Sequence, residues 1–225
     1  KTTLMNILYG LVQADEGTIE VDGREVDLKG PADAIEAGVG MVHQHPLLVD
    51  RLSVAENLFL GGVGNGTARG MQSAIAGITE RFPLDVDPGA LVEDLPMSQR
   101  QRIEIVRCLA RGVRVLVLDE PTAVLTVDEV GDLFGEMRLL VEAGHSVIFI
   151  SHKLSETARI ADRVSVLRAG EMVGTWEVAK TTPAALAEAM VGRRVLLRVE
   201  KQPRERGAPV LEAVGQSCRD ARGTE

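Results

Sequence analysis

Asp119 and Glu120 follow the run Val115-Leu116-Val117-Leu118, and two adjacent carboxylates in that place need a counter-charge. The four apolar, partly β-branched residues show no alternation, so they read as a short strand buried on both faces in the middle of a parallel sheet. Open α/β sheets put ligands at the carboxyl ends of such strands. The natural partner for adjacent acids there is a hydrated magnesium ion carrying a nucleotide. One acid then serves the metal and the other polarises a water. The plainer reading is that Asp119 and Glu120 open a turn before Pro121. Three further signals bear on the choice. Lys1-Thr2-Thr3-Leu4 matches the back half of a phosphate-cradling motif, whose glycines are expected upstream. Gln44 follows the apolar run Val39 to His43, and His152 follows Val147 to Ile150.

Elements must hold these side chains. Leu4, Ile7, Leu8 and Leu11 fall on one face of a helix that starts beside Lys1. Thr18 to Val21 alternates toward Asp22-Gly23, a strand-and-hairpin pattern. A helix is expected from Pro31 to Gly38, and Ser53 with Glu56 forms a capping box for another. Gly61 to Gly70 reads as a flexible loop. Met71 to Arg111 is mainly helical, broken at Pro83 and at Asp87-Pro88-Gly89, and Ser98 with Gln101 reads as a capping box inside it. Asp128 to Ala143 is an amphipathic helix ended by Gly144. Val164 to Leu167 and Met172 to Gly174 form a closing hairpin, with Trp176 as a packing residue. His43 and His45 read as structural or exposed, because the sequence supplies no third metal ligand beside them.

Composition narrows the class. With 225 residues, 45% hydrophobic and 26% charged, the chain suits a globular domain plus part of another. A formal charge of −8 argues against a polyanion-binding surface. Arg100, Arg102, Arg107, Arg111 and Arg114 read as a solvated helix face. Cys108 and Cys218 are far apart and fit a reduced cytosolic protein. No apolar run approaches the roughly 20 residues of a membrane span, so separate subunits are expected to do any crossing. The first residue is Lys rather than Met, and the start is expected upstream.

LPMSQRQR, then LVLDEPTAVLT, then FISHKL resembles the nucleotide-binding domain of ATP-binding cassette (ABC) proteins. Together with VHQHPLLVDRLSVAENLFLG it is most similar to the first of two fused ATPase halves in bacterial importers of simple sugars and nucleosides. The resemblance implies an α/β fold of the P-loop NTPase class, with a RecA-like parallel sheet core, an antiparallel β subdomain and a helical signature subdomain over about 53–111. It implies a nucleotide-binding domain over 1–195, a linker over 196–207 and the start of a second such domain over 208–225.

The resemblance also implies ATP and Mg²⁺ as cofactors and a role for each residue. Lys1 reaches the β and γ phosphates, the Thr2 hydroxyl binds magnesium, and Thr3 extends contacts toward the α phosphate. Gln44 ligates magnesium and senses the γ phosphate, and the loop after it touches the membrane partner. Asp119 holds magnesium through water, Glu120 orients or deprotonates the attacking water, and His152 contacts the γ phosphate and steadies Glu120.

The signature departs from the family's Leu-Ser-Gly-Gly-Gln, reading Leu95-Pro96-Met97-Ser98-Gln99. Pro96 deletes a hydroxyl and an N–H, and Met97 adds bulk where backbone must approach phosphate. Losing one or two charge-assisted bonds of roughly 1.5–3 kcal/mol each weakens that half-site by one to several orders of magnitude. Thr126 stands where the family's inter-domain loop carries an acid.

Expected partners are a second ABC half in the same chain, transmembrane permeases and, indirectly, an extracytoplasmic solute-binding protein, with no nucleic acid. The expected location is the cytoplasmic face of the membrane, peripherally bound. Without the upstream glycines the isolated chain is expected to bind nucleotide weakly and not to turn it over. Two other readings stand beside this one. A soluble tandem cassette acting on ribosomes should carry a basic helical linker, which the short Arg193 to Gly207 segment does not resemble. A non-catalytic structural cassette is favoured by Pro96-Met97 and opposed by Glu120 and His152.

Overall fold

A computed structural model describes residues 1–63, 67–82, 84, 86–193, 211, 212, 214, 215 and 217. The chain divides into two units, Lys1–Arg194 and Val195–Glu225. In chain order the first unit runs α1 (Thr2–Leu8), β1 (Ile19–Val21), β2 (Arg24–Val26), α2 (Pro31–Glu36), β3 (Val39–Val42), α3 (Val54–Leu60) and α4 (Ala68–Arg81). A 3₁₀ turn at Val92–Asp94 leads to α5 (Met97–Ala110), β4 (Val115–Asp119), α6 (Val127–Glu142), β5 (Ser146–Ile150), α7 (Leu154–Ile160), β6 (Arg163–Arg168), β7 (Glu171–Glu177) and α8 (Pro183–Val191). The expected linker 196–207 lies outside the described residues, as does most of 208–225.

The acid-bearing strand β4 lies between β3 and β5 in a parallel sheet. Val39 pairs with Val115 and Val42 with Leu118, and on the other edge Leu118 pairs with Phe149 and Asp119 with Ile150. Alternate residues of β4 then face opposite layers. Leu116 and Leu118 join Val42, Ile105, Leu133, Phe134 and Leu140 in one cluster, and Val117 joins Val39, Met41, Leu28 and Ala34 in the other. Both faces of the strand are therefore apolar, which explains the unbroken hydrophobic run.

Two antiparallel hairpins flank this layer. In β1–β2 the turn residues Asp22 and Gly23 adopt φ of 51° and 72°, as a tight hairpin turn demands. The β6–β7 hairpin carries an irregularity at Val166/Leu167 and turns through Ala169-Gly170. Gly10, at φ +74°, lies so close to the Gly30 backbone that an added Cβ would stand 2.6 Å from its carbonyl oxygen.

Several expectations need correction. Leu4 and Leu11 are 42% and 49% exposed; of the expected face Leu8 does pack, together with Met5 and Tyr9. A periodicity does not say which side of a short helix meets the sheet. Helix α4 starts at Ala68, inside the stretch read as loop, with Thr67 accepting from Gly70 N; residues 64–66 lie outside the described residues. Helix α5 starts two residues earlier than its expected capping box. Pro96 is the N-cap, no side chain caps the helix, and Ser98 Oγ donates instead to Glu129 Oε1 at 2.7 Å.

Arg100, Arg102 and Arg107 are not a solvated face either, whereas Arg111 and Arg114 are exposed. Arg100 pairs with Asp50 at 2.7 Å, Arg102 with Glu136 at 2.6 Å, Arg107 with Glu104 at 2.5 Å and Arg114 with Asp22 at 2.6 Å. Arg111 donates to the Gly61 carbonyl. No helix among the described residues is long and apolar enough to cross a membrane.

Candidate nucleotide site

The carboxyl ends of β3, β4 and β5 bring the singled-out residues to one edge of the sheet. Asp119 ends β4 with 4% of its surface exposed. Glu120, the next residue, has φ 47°, a left-handed conformation uncommon outside glycine. Its N–H donates to Ile150 O at 3.1 Å, so the strand pairing extends one residue past β4 before the chain turns. Backbone outliers of this kind concentrate where a side chain must be aimed. Here Glu120 Oε1 lies 3.3 Å from His152 Nδ1, the two side chains being 32% and 59% exposed. Lys1 Nζ donates to the carbonyl of Ser151 at 3.4 Å, next to that histidine. The second acid and the late histidine therefore meet, and the lysine reaches the backbone of the residue before that histidine. Lys1, Ser151 and His152 also line a shallow depression with Thr157, Val166 and Leu186.

Asp119 is buried yet accepts no hydrogen bond among the described residues. Its charge is felt by His43, whose pKa is lowered by burial and only partly restored by Asp119. His43 lies edge-on to Tyr9 with ring centroids 6.0 Å apart, in keeping with a structural role. Gln44, Thr2 and Thr3 are exposed and make no hydrogen bond or ion pair with Asp119, Glu120 or His152 in this structure. No group of three or more His, Cys, Asp or Glu residues suited to a metal occurs among the described residues. A carboxylate with no protein donor, on a buried residue whose oxygens stay reachable, fits a hard cation that takes most of its ligands from phosphate and water, as magnesium does.

A second carboxylate, unremarked in the sequence, organises the loops below this edge. Glu156 Oε2 accepts from Thr122 Oγ1 at 2.6 Å and from Ser151 Oγ at 3.1 Å, while Oε1 lies 3.0 Å from Lys153 Nζ. Lys153 Nζ also donates to Thr122 O at 3.0 Å. The i, i+3 spacing of Lys153 and Glu156 was the available signal. It could not announce the two hydroxyls from elsewhere.

The family description "ABC transporter" matches residues 1–123, more than half of the chain. The chain belongs to the ABC transporter family. Among curated ABC relatives it is 42% identical to the glucose import ATP-binding protein TsgD13 of Haloferax volcanii, over all of this chain and 47% of that protein. It is likewise 42% identical to the nucleoside import ATP-binding protein NupA of Lactococcus lactis subsp. cremoris, over all of this chain and 45% of that protein. Identity is 44% to the ribose import ATP-binding protein RbsA of Burkholderia mallei, over 98% of this chain and 45% of that protein. The chain thus spans about half the length of these relatives. The ABC fold is also seen in MJ1267, an ATP-binding cassette of an ABC transporter (TM-score 0.74, 23% identity, 85% of this chain and 82% of that one). It is seen again in cbiO1 from Clostridium perfringens, part of the ABC transporter complex cbiONQ (TM-score 0.69, 22% identity, 84% and 76%). The α/β, P-loop NTPase fold class stands on these matches and on the parallel sheet.

Within this ABC chain Pro96, Met97, Ser98 and Gln99, which the resemblance assigns to the signature, open α5. Ser98 is engaged with Glu129, whose other oxygen accepts from Thr126 N at 2.8 Å and Thr126 Oγ1 at 2.9 Å. The Ser98 bond, ahead of those from Thr126, holds the Glu129 carboxyl below the usual range. Thr126, which lacks the family's acid, is the N-cap of α6 in a capping box with Glu129. A Thr-x-x-Glu spacing is a legible helix-start signal and could have been read from the sequence.

Proposed function

We propose that this chain is the ATP-hydrolysing subunit, and the first of two cassettes, of an importer for a simple sugar or nucleoside. The reading draws on the activities for which the relatives are named and on one observation, the 3.3 Å approach of Glu120 and His152 at the sheet edge beside Lys1. In this reading Lys1 and Thr3 hold phosphate oxygens, and Glu120 takes a proton from a water that attacks the γ phosphorus as the bond to the β-bridging oxygen breaks. His152 donates to the γ phosphate and keeps Glu120 in place. Thr2, Gln44 and Asp119 would hold magnesium, which when bound neutralises charge on the β and γ phosphates.

Pro96, Met97, Ser98 and Gln99 would face ATP held by the second cassette. The Ser98–Glu129 bond supports a weakened grip there, since that hydroxyl already has an acceptor. Separate permease subunits would receive the loop after Gln44, with the protein lying peripherally on the cytoplasmic face and a solute-binding protein acting from outside. That same loss at the signature is the observation favouring the second reading, a non-catalytic structural cassette.

Glu120→Gln in the full-length protein, assembled with its permeases, decides between them. The amide keeps size and a hydrogen-bonding oxygen but takes up no proton, so turnover should fall by about 10²–10⁴-fold while ATP stays bound. An unchanged ATPase rate would remove Glu120 from this role.

A further inference from the structure

We propose that Glu156 is a positioning residue for hydrolysis, clamping the loop after β4 to the loop after β5 and thereby setting the approach of Glu120 to His152. The proposal rests on the reading of those two residues given above. Thr122 lies two residues beyond Glu120, and Ser151 immediately precedes His152. A single oxygen of Glu156 accepts both their hydroxyls, at 2.6 and 3.1 Å. Thr122 is only 2% exposed and the Glu156 side chain 11%, so water competes poorly for these bonds.

Lys153 doubles the clamp. Its Nζ bridges Glu156 Oε1 and the Thr122 carbonyl, both at 3.0 Å, and its own N–H donates to Ser151 Oγ at 3.0 Å. The Ser151 carbonyl meanwhile receives Lys1 Nζ. A plain helix-surface ion pair between Lys153 and Glu156 would leave the second carboxylate oxygen to solvent. Here that oxygen joins two loops that neighbouring strands hold only as far as the Glu120 N–H to Ile150 O bond. Beyond that bond, the clamp keeps the acid and the histidine in register. Displacement by about an ångström is enough to cost roughly 100-fold in rate.

The test uses the full-length protein with its permeases in proteoliposomes, following ATP turnover for Glu156→Ala, Glu156→Gln, Thr122→Val and the Glu156→Ala/Thr122→Val pair. Glu156→Ala should lower kcat about 10- to 100-fold with KM for ATP held within about twofold. Glu156→Gln, which keeps an acceptor for the hydroxyls, should recover part of that loss. Thr122→Val keeps shape and should show a several-fold loss, and the pair should be no worse than Glu156→Ala alone. Unchanged kcat, a loss carried by KM, or additive losses in the pair each overturn the proposal. Should Glu156→Ala fail to fold, kcat of Thr122→Val decides it by the same standard. Glu120→Gln is run alongside. Intact turnover in that variant sinks the hydrolysis reading, whereas abolished turnover with normal Glu156 and Thr122 variants sinks only the clamp.

Discussion

Replacing Arg107 by Met should strand a buried charge. Glu104 on α5 has no exposed surface, and one of its oxygens, Oε2, has no partner. The other, Oε1, accepts from Arg107 Nη2 at 2.5 Å and from Leu47 N at 3.0 Å. Arg107 also donates to Leu47 O at 3.2 Å, so the pair ties the loop after Gln44 to the helix. Burial pushes the Glu104 carboxyl up; Arg107, followed by the Leu47 and His43 N–H groups, pulls it back.

Breaking a buried pair from one side costs about 3–5 kcal/mol. Because Arg107 is 19% exposed and Leu47 N remains, the lower end applies, about 3 kcal/mol, or roughly 6–12 °C in Tm. The sign with pH follows from the raised folded pKa. Between the unfolded value of about 4.3 and the folded one, the native state keeps a proton that the unfolded chain has released. Stability therefore falls as pH rises through that window and levels off above it. Without Arg107 the window widens upward, so the deficit of Arg107→Met should be small near about pH 4 and full near about pH 8. Urea unfolding at both pH values measures it. A deficit under about 1 kcal/mol at the higher pH, or one of equal size at both, would refute the account of Glu104 as a charge held by Arg107.

Other perturbations test the frame. Gly10→Ala should destabilise by about 1–3 kcal/mol, because it adds left-handed strain and drives a Cβ into the Gly30 backbone; thermal melting checks it, and an unchanged Tm contradicts the close approach. Cys108 is buried at 7% exposure, and burial pushes its thiol up to about 12. Iodoacetamide at neutral pH should leave the Cys108 peptide unmodified by mass spectrometry until denaturant is added. Leu118→Ala on β4, where the side chain is fully buried between helices α5 and α6 and the sheet, should cost about 2–5 kcal/mol in chemical denaturation.

Much of the framework was legible because its causes are local. The unbroken apolar run Val115 to Leu118 announces a strand covered on both faces, and the hairpin at Asp22-Gly23 needs only two residues that tolerate positive φ. Ser53 and Glu56 cap α3 as their spacing implies. The local signals failed where two of them competed. Ser98 carries the right spacing to cap α5, yet Glu129 across the fold offers a charged acceptor at 2.7 Å, and the helix begins at Met97 instead. Arg100 and Arg102 find their acids, Asp50 and Glu136, only through the packing of α5 against the loop after β3 and against α6, whereas the Arg107–Glu104 pair lies within α5 at an i, i+3 spacing.

Taken alone, the sequence determined the kinds of element and their order, because periodicity, capping and turn chemistry act over a few positions, and it nominated residues for phosphate chemistry. Tertiary structure decided which of those residues meet. Glu120 and His152 are 32 residues apart and come together through the parallel pairing of β4 with β5. Glu156 reaches Thr122 across 34 residues in the same way. Contacts of that range depend on strand register and helix packing, which place one carboxylate beside two distant hydroxyls.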